Sequence, residues 1–138
     1  MGRIIGIDYG TKRIGIAVTD PFKIIATGLT TVHSKDIFNF LNDYFNKEEV
    51  ECLVVGYPKD LKNRETDATK HVDIFIKKLK TAFSNIPIKL IDERFTSKIA
   101  MQSLIESGVK KKKRQNKELL DTISATLILQ TYLNNNNL

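Results

Sequence analysis

Near its N-terminus the chain reads Arg-Ile-Ile-Gly-Ile-Asp at residues 3–8 and Arg-Ile-Gly-Ile-Ala-Val-Thr at residues 13–19. Both runs are rich in β-branched residues, and the short segment between them contains Gly10, a pattern typical of a β-hairpin. A third strand is predicted at residues 24–31. The fold is therefore expected to begin with a meander of three strands.

Helical and strand patterns alternate in the rest of the chain. The predicted elements, in order, are a helix capped by Ser34, a strand at 52–55, a helix ended by Pro87, a strand at 88–91, a helix from Thr96 or Ser97 to about Ser107, and a helix at about 117–133. The strand at 52–55 is wholly apolar, as expected of a parallel strand covered on both faces. The order predicts an α/β fold: a mixed five-stranded sheet with helices on both faces.

Length and composition limit the kind of protein this can be. A chain of 138 residues, 41% hydrophobic and 28% charged, is predicted to form one globular domain spanning 1–138, with a basic mobile loop at about 108–116 and a frayed tail at 134–138. It contains no apolar run of the roughly 18 residues that a membrane span needs. It also has no secretory signal pattern, so a soluble cytoplasmic protein without a membrane partner is expected. Cys52, the single cysteine, is predicted to be a buried structural thiol.

Net charge suggests a polyanionic partner. The chain carries 22 Lys and Arg against 16 Asp and Glu, a formal charge of +6, and basic residues near phosphates gain from counterion release. The residues predicted to bind nucleic acid are Lys12, Arg13, Arg94, Lys110, Lys111, Lys112, Lys113 and Arg114. The run at 110–114 precedes the last helix and contains no aromatic residue, so base stacking is not indicated there. A solvated loop is the alternative interpretation of that run.

Three acidic positions occur where chemistry is expected in an α/β fold. Asp8 ends the first strand, and Asp92-Glu93 follows the strand at 88–91; ligands bind at strand ends in such sheets. A turn aspartate and an exposed, salt-bridged acidic pair are the plainer alternatives. Asp121 lies in an otherwise apolar or small stretch of the last helix. A carboxylate buried there needs a hydrogen-bonded partner, a raised pKa or a cation.

A shared metal site would satisfy all three acids. We predict Asp8, Glu93 and Asp121 as both catalytic residues and metal ligands. Because the set contains carboxylates and no thiol, Mg²⁺ or Mn²⁺ is expected rather than zinc. Two such ions about 4 Å apart suit in-line phosphoryl displacement. Two questions stay open: whether Asp92 or Glu93 faces the site, and whether Glu118 adds a ligand or only stabilises the helix.

Four ordered motifs resemble those of the YqgF (RuvX) family, Holliday-junction-resolvase-like proteins regarded as pre-16S rRNA nucleases. The motifs span residues 7–15, 54–58, 92–97 and 121–130, nearly the whole chain. The resemblance implies a ribonuclease-H-like fold, a cytoplasmic location, a role in ribosomal RNA maturation, and Asp8, Glu93 and Asp121 as active-site acids.

The loop after Pro58 departs from this pattern because it lacks the glycine often found there. The preceding strand ends in Gly56-Tyr57-Pro58, where related resolvases place an acid, so junction cleavage is less favoured than generic nuclease chemistry.

The sequence therefore predicts a metal-dependent hydrolase of phosphodiester bonds, a nuclease processing the 5′ end of pre-16S ribosomal RNA. The alternatives are a Holliday junction resolvase acting on branched DNA and a noncatalytic RNA-binding assembly factor. An ATPase is discounted because the chain offers one lobe where such enzymes use two. The expected partners are structured RNA, branched DNA or ribosomal precursor particles, bound by a monomer or a homodimer.

Overall fold

The computed structural model describes residues 2–58, 67–92 and 117–136. Five strands form a single mixed sheet: β1 (Arg3–Asp8), β2 (Arg13–Thr19), β3 (Ala26–His33), β4 (Val50–Tyr57) and β5 (Ile88–Asp92). Their order across the sheet is β3-β2-β1-β4-β5. The first three strands are antiparallel neighbours, and β4 runs parallel to both β1 and β5. The predicted meander followed by parallel strands is confirmed.

Helices cover both faces of the sheet. They are α1 (Ile37–Lys47), preceded by a 3₁₀ turn at Ser34–Asp36, α2 (Asp67–Ala82), and α3 (Lys117–Asn136). Alternate side chains of each strand point to opposite faces. One core therefore joins Ile5 and Ile7 of β1 to α1 and α2. The other joins Ile4 of β1 to Leu129 and its neighbours on α3.

Helix α3 crosses the sheet at very short range because glycines lie beneath it. A Cβ atom at Gly6 would lie 2.7 Å from the Cβ of Leu129, and one at Gly28 would lie 2.6 Å from Cγ2 of Thr122. At Gly15 an added Cβ would overlap the backbone carbonyl oxygen of Asp121. These positions lie on β1, β2 and β3, so the absence of side chains on three strands sets the path of the helix.

Three element boundaries differ from the prediction. The third strand begins at residue 26 rather than 24, because the Asp20 carboxylate accepts hydrogen bonds from the backbone N–H groups of Ile24 and Ile25 and holds them in a turn. Strand β4 spans 50–57 rather than 52–55.

Helix α3 extends to Asn136, so the predicted frayed tail at 134–138 is wrong for residues 134–136. A hydrogen bond of 3.0 Å between Gln130 Nε2 and Asn134 Oδ1 supports this last turn. The predicted helix at about 96–107, the basic loop at about 108–116 and the final two residues lie outside the described part of the chain.

Cys52 lies on β4 in the core beneath α3. Its residue is 6% exposed, as predicted, and burial raises the pKa of its thiol. Within the described ranges, no helix combines the length and apolarity that crossing a membrane requires.

Candidate active site

Asp8 is the last residue of β1, the central strand of the sheet. Strand alternation puts its side chain on the same face as Gly6, the face that α3 covers. Across the antiparallel ladder, Asp8 pairs with Gly15 of β2. The carboxylate therefore lies at one end of the α3 face of the sheet.

Helix α3 brings Asp121 to the same end. Asp121 lies about one turn into the helix, and its backbone carbonyl packs directly against Gly15. Because Gly15 is the cross-strand partner of Asp8, the two acids approach one another around this glycine. The structure thus brings together two of the three predicted acids.

Hydroxyl groups fasten the start of α3 to the edge of the sheet. Thr31 of β3 pairs with Gly15 of β2. Its Oγ1 lies 2.8 Å from the backbone carbonyl of Glu118 and 2.7 Å from Oγ1 of Thr122. Glu118 therefore contributes a backbone carbonyl to this anchor, and its side chain is exposed. This row of contacts sets the position of Asp121 relative to the sheet.

Arg13 supplies the cation that the carboxylate on α3 needs. Its Nε donates a hydrogen bond of 3.1 Å to Oδ2 of Asp121, and the side chains of the two residues are 33% and 25% exposed. Arg13 lies two residues before Gly15 on β2, so alternation points both to the α3 face. Sequence reasoning assigned Arg13 to nucleic acid and missed this ion pair, because nothing local indicates which helix covers Gly15.

The acidic pair after β5 divides between the faces. Ile88 packs with the core beneath α1 and α2, whereas Ile91 packs with the core beneath α3. Asp92 therefore lies on the face opposite Asp8. It is exposed and aligned with Tyr57 of β4. This placement argues against Asp92 as the third acid.

The other predicted site residues are placed less fully. Glu93 and Arg94 lie outside the described residues, as does the basic run at 110–114, so their roles stay predictions. Lys12 is exposed in the loop before β2, and its backbone carbonyl accepts a hydrogen bond from Ser34 N.

Two tyrosines that sequence reasoning left without a role connect this end of the sheet to α2. Tyr9, directly after Asp8, stacks on Phe75 with ring centroids 4.5 Å apart. Tyr57, at the end of β4, donates a 2.9 Å hydrogen bond to Asp73. Both contacts hold loops that leave the sheet beside the acids.

The donor atoms at this end suit a hard cation in kind. Asp8 and Asp121 offer carboxylate oxygens, which Mg²⁺ and Mn²⁺ prefer. The two histidines are placed elsewhere: His33 follows the edge strand and accepts a hydrogen bond from Lys35 N, and His71 is exposed on α2. In the described ranges no three acidic, histidine or cysteine side chains form a group that could hold an ion. A complete site therefore requires a further ligand, which the sequence predicts to be Glu93.

The profile of the RuvX family, described as Holliday junction resolvase, matches residues 2–135. A protein of Christiangramia forsetii is 51% identical over 96% of this chain and 98% of its own length. One of Bacteroides thetaiotaomicron is 50% identical over 96% of each chain. Both carry the name "Putative pre-16S rRNA nuclease". The chain belongs to the RuvX family. The resemblance drawn from four motifs is thereby confirmed.

The fold of this RuvX chain is also that of solved resolvases. RuvC of Thermus thermophilus, solved with a Holliday junction substrate, superposes with a TM-score of 0.59 at 16% identity, covering 99% of this chain and 97% of the other. Fowlpox virus resolvase, solved with Holliday junction DNA, gives 0.58 at 13% identity, covering 96% and 97%. At these identities the similarity establishes the ribonuclease-H-like fold alone, and that predicted fold is confirmed.

Proposed function

We propose that this RuvX protein is a metal-dependent nuclease that processes the 5′ end of precursor 16S ribosomal RNA in the cytoplasm, as a single domain spanning 1–138. The observation that carries the proposal is the packing of Asp121 against Gly15, the cross-strand partner of Asp8. Two acids distant in sequence thereby converge at a strand end, the usual ligand-binding position in α/β sheets. Relatives at about half identity named for this RNA support the choice of substrate.

Asp8, Glu93 and Asp121 would hold Mg²⁺ or Mn²⁺ at this site. Bound there, the metal would supply an activated water and stabilisation of the leaving oxygen. The protein's own contribution is placement: Asp8 is fixed by a central strand, and Asp121 by a helix anchored through Thr31. Arg13 orients the Asp121 carboxylate by holding Oδ2.

Basic residues around the acids would hold the phosphate backbone. Lys12 is exposed in the loop that follows Asp8, and Arg94 and the run at 110–114 are neighbours in sequence of Glu93 and α3. Neutralising phosphates there releases counterions, so RNA affinity should fall steeply with salt. A monomer suffices to trim an RNA end.

Cleavage of branched DNA is the second candidate, favoured by the description of the family profile. Against it, β4 ends at Tyr57, whose hydroxyl is bound to Asp73, where the related resolvases carry an acid. A two-fold symmetric junction would also call for a homodimer.

The deciding experiment compares cleavage of precursor 16S RNA and of a four-way DNA junction, each with Mg²⁺ or Mn²⁺. We expect metal-dependent cutting of the RNA that is abolished in Asp8→Asn and Asp121→Asn. The matched control is Asp43→Asn, which removes an exposed carboxylate from α1 and should cut normally. All variants are first checked for native circular dichroism.

Preferential cutting of the junction would replace RNA by branched DNA as the substrate. No cutting by any form, with RNA binding intact, would instead support a noncatalytic assembly factor.

A further inference from the structure

The turn between β2 and β3, residues 20–25, exposes three large apolar side chains. Phe22 is 65% exposed, Ile24 64% and Ile25 60%. Isolated exposed apolar residues are ordinary, but a contiguous cluster of them usually marks a surface that another molecule covers. The turn follows Thr19, whose hydroxyl binds the backbone N–H of Ile4 at the start of β1. It therefore lies at the end of the sheet opposite Asp8.

Hydrogen bonds hold this turn in one conformation. The Asp20 carboxylate accepts from Ile24 N at 2.8 Å and from Ile25 N at 2.9 Å, and these bonds lower the pKa of Asp20. Lys23 adopts a left-handed φ of 61°, and its Nζ lies 2.8 Å from Oε1 of Glu51 on β4. A turn already held in its binding conformation loses little entropy when a partner binds.

A pocket of about 410 Å³ adjoins the turn. Phe22 and Ile24 form one side of it, Ile4 of β1 its floor, and Tyr132 and Leu133 of α3 the other side. The surface thus combines protruding apolar side chains with a recess beside them. That relief suits a partner that offers an apolar side chain to the recess.

The charge around the turn differs in sign from that of the chain. Four acids lie at this end against three bases, namely Asp20, Glu48, Glu49 and Glu51 against Arg3, Lys23 and Lys47. Two of the bases are engaged, Arg3 with Glu48 at 3.3 Å and Lys23 with Glu51 at 2.8 Å. The whole chain carries +6, so this end does not attract a polyanion such as RNA. A second copy docked on the same surface would set acids against acids.

We propose that the turn at 20–25 and its pocket form a docking surface for a second protein, one that presents an apolar side chain surrounded by basic residues. This inference rests on the proposed function, under which the partner is a protein component of the ribosomal precursor particle. Strand β1 separates the turn from Asp8 by roughly 17 Å, so a protein docked here leaves the acids accessible to RNA. The surface is small, which indicates a weak contact that adds to RNA binding.

The test uses the full chain with two probes: purified precursor particles containing pre-16S RNA, and the same RNA free of protein. The variant is the double substitution Phe22→Ser and Ile24→Ser. We expect its affinity for particles in sedimentation assays to fall about tenfold or more, as for hot-spot residues. Its affinity for free RNA and its cleavage of free RNA should equal those of the wild type. Ile74→Ser, at a 53% exposed apolar residue of α2, is the matched control and should change neither.

Several results would overturn the inference. One is particle binding that is absent in the wild type or unchanged in the double variant. Another is an equal loss of affinity for free RNA, which would make the turn an RNA contact. A third is a concentration-dependent dimer in sedimentation velocity that the variant abolishes, which would make a second copy the occupant. Failure of the nuclease proposal is distinguishable, because wild type and variant would then both leave free RNA uncut while particle binding still depended on the turn.

Discussion

Arg13 and Asp121 are joined by a 3.1 Å hydrogen bond although 108 residues separate them in sequence. Ion pairs of this exposure contribute only about 0–1 kcal/mol to stability, because solvent screens them and two side chains must be ordered. The bond instead restricts the orientation of one carboxylate at the proposed catalytic site. Its effect should therefore appear in the reaction rate more than in the stability.

We predict that Arg13→Gln lowers kcat for RNA cleavage by about 10- to 100-fold, the usual effect of losing a group that orients a metal ligand. The free energy of unfolding, measured with urea, should change by less than about 1 kcal/mol. Lys12→Gln is the neighbouring control and should raise KM, because Lys12 is exposed and predicted to bind phosphate. If Arg13→Gln raised KM with kcat unchanged, Arg13 would be the phosphate ligand that the sequence suggested.

The site residues divide according to what a sequence can reveal. The acids Asp8 and Asp121 could be predicted because one ends a strand pattern and the other interrupts an apolar helix. The ion pair with Arg13 could not, since it depends on α3 packing over Gly15. The choice between Asp92 and Glu93 also needed the structure: Ile91 packs beneath α3, so Asp92 must point to the other face.

At the scale of elements, the seating of α3 depends on glycine. We predict that Gly15→Ala destabilises the protein by about 1–3 kcal/mol, because the new methyl group meets the backbone of Asp121 and the helix must move. Cleavage should fall with it, since Asp121 moves too. Urea denaturation and cleavage assays on the same preparation measure both effects.

Gly28→Ala is the matched control on β3. Its methyl group would lie 2.6 Å from Cγ2 of Thr122, a side-chain atom that can rotate away. Restricting the unfolded chain also offsets part of the cost. Equal losses of stability in the two variants would contradict the view that the backbone contact at Gly15 sets the helix position.

Hydrophobic periodicity predicted most elements but misplaced two boundaries, each for a local reason. Strand β3 starts late because the Asp20 side chain captures two backbone N–H groups, and such bonds leave no trace in the pattern of apolar residues. Helix α3 outlasts its apolar pattern because Gln130 and Asn134 pair one turn apart. In both cases polar side chains decided where the element ended.

At the scale of the whole molecule, Cys52 reports on the opening of the core beneath α3. Its burial raises the pKa of the thiol, and a reagent must reach the thiolate to react. We predict that labelling with a chromogenic disulfide at pH 8 is at least about 1000-fold slower in the native protein than in urea, given a stability of about 5 kcal/mol or more.

Labelling should be faster in Gly15→Ala than in the wild type, because a loosened α3 uncovers the thiol more often. Native labelling at the rate of the unfolded chain would contradict the burial of Cys52. Absorbance of the released thiol follows the reaction in both proteins.

The two acids at residues 8 and 121 lie near opposite ends of the polypeptide, which has a consequence for its synthesis. A growing chain presents Asp8 as soon as the first hairpin forms, but Asp121 arrives only when α3 leaves the ribosome and covers the sheet. Until then the apolar side chains of Ile4, Cys52 and Val54 stay open to water. A nuclease directed at ribosomal RNA would thus be inactive for as long as it is tethered to the ribosome that is making it.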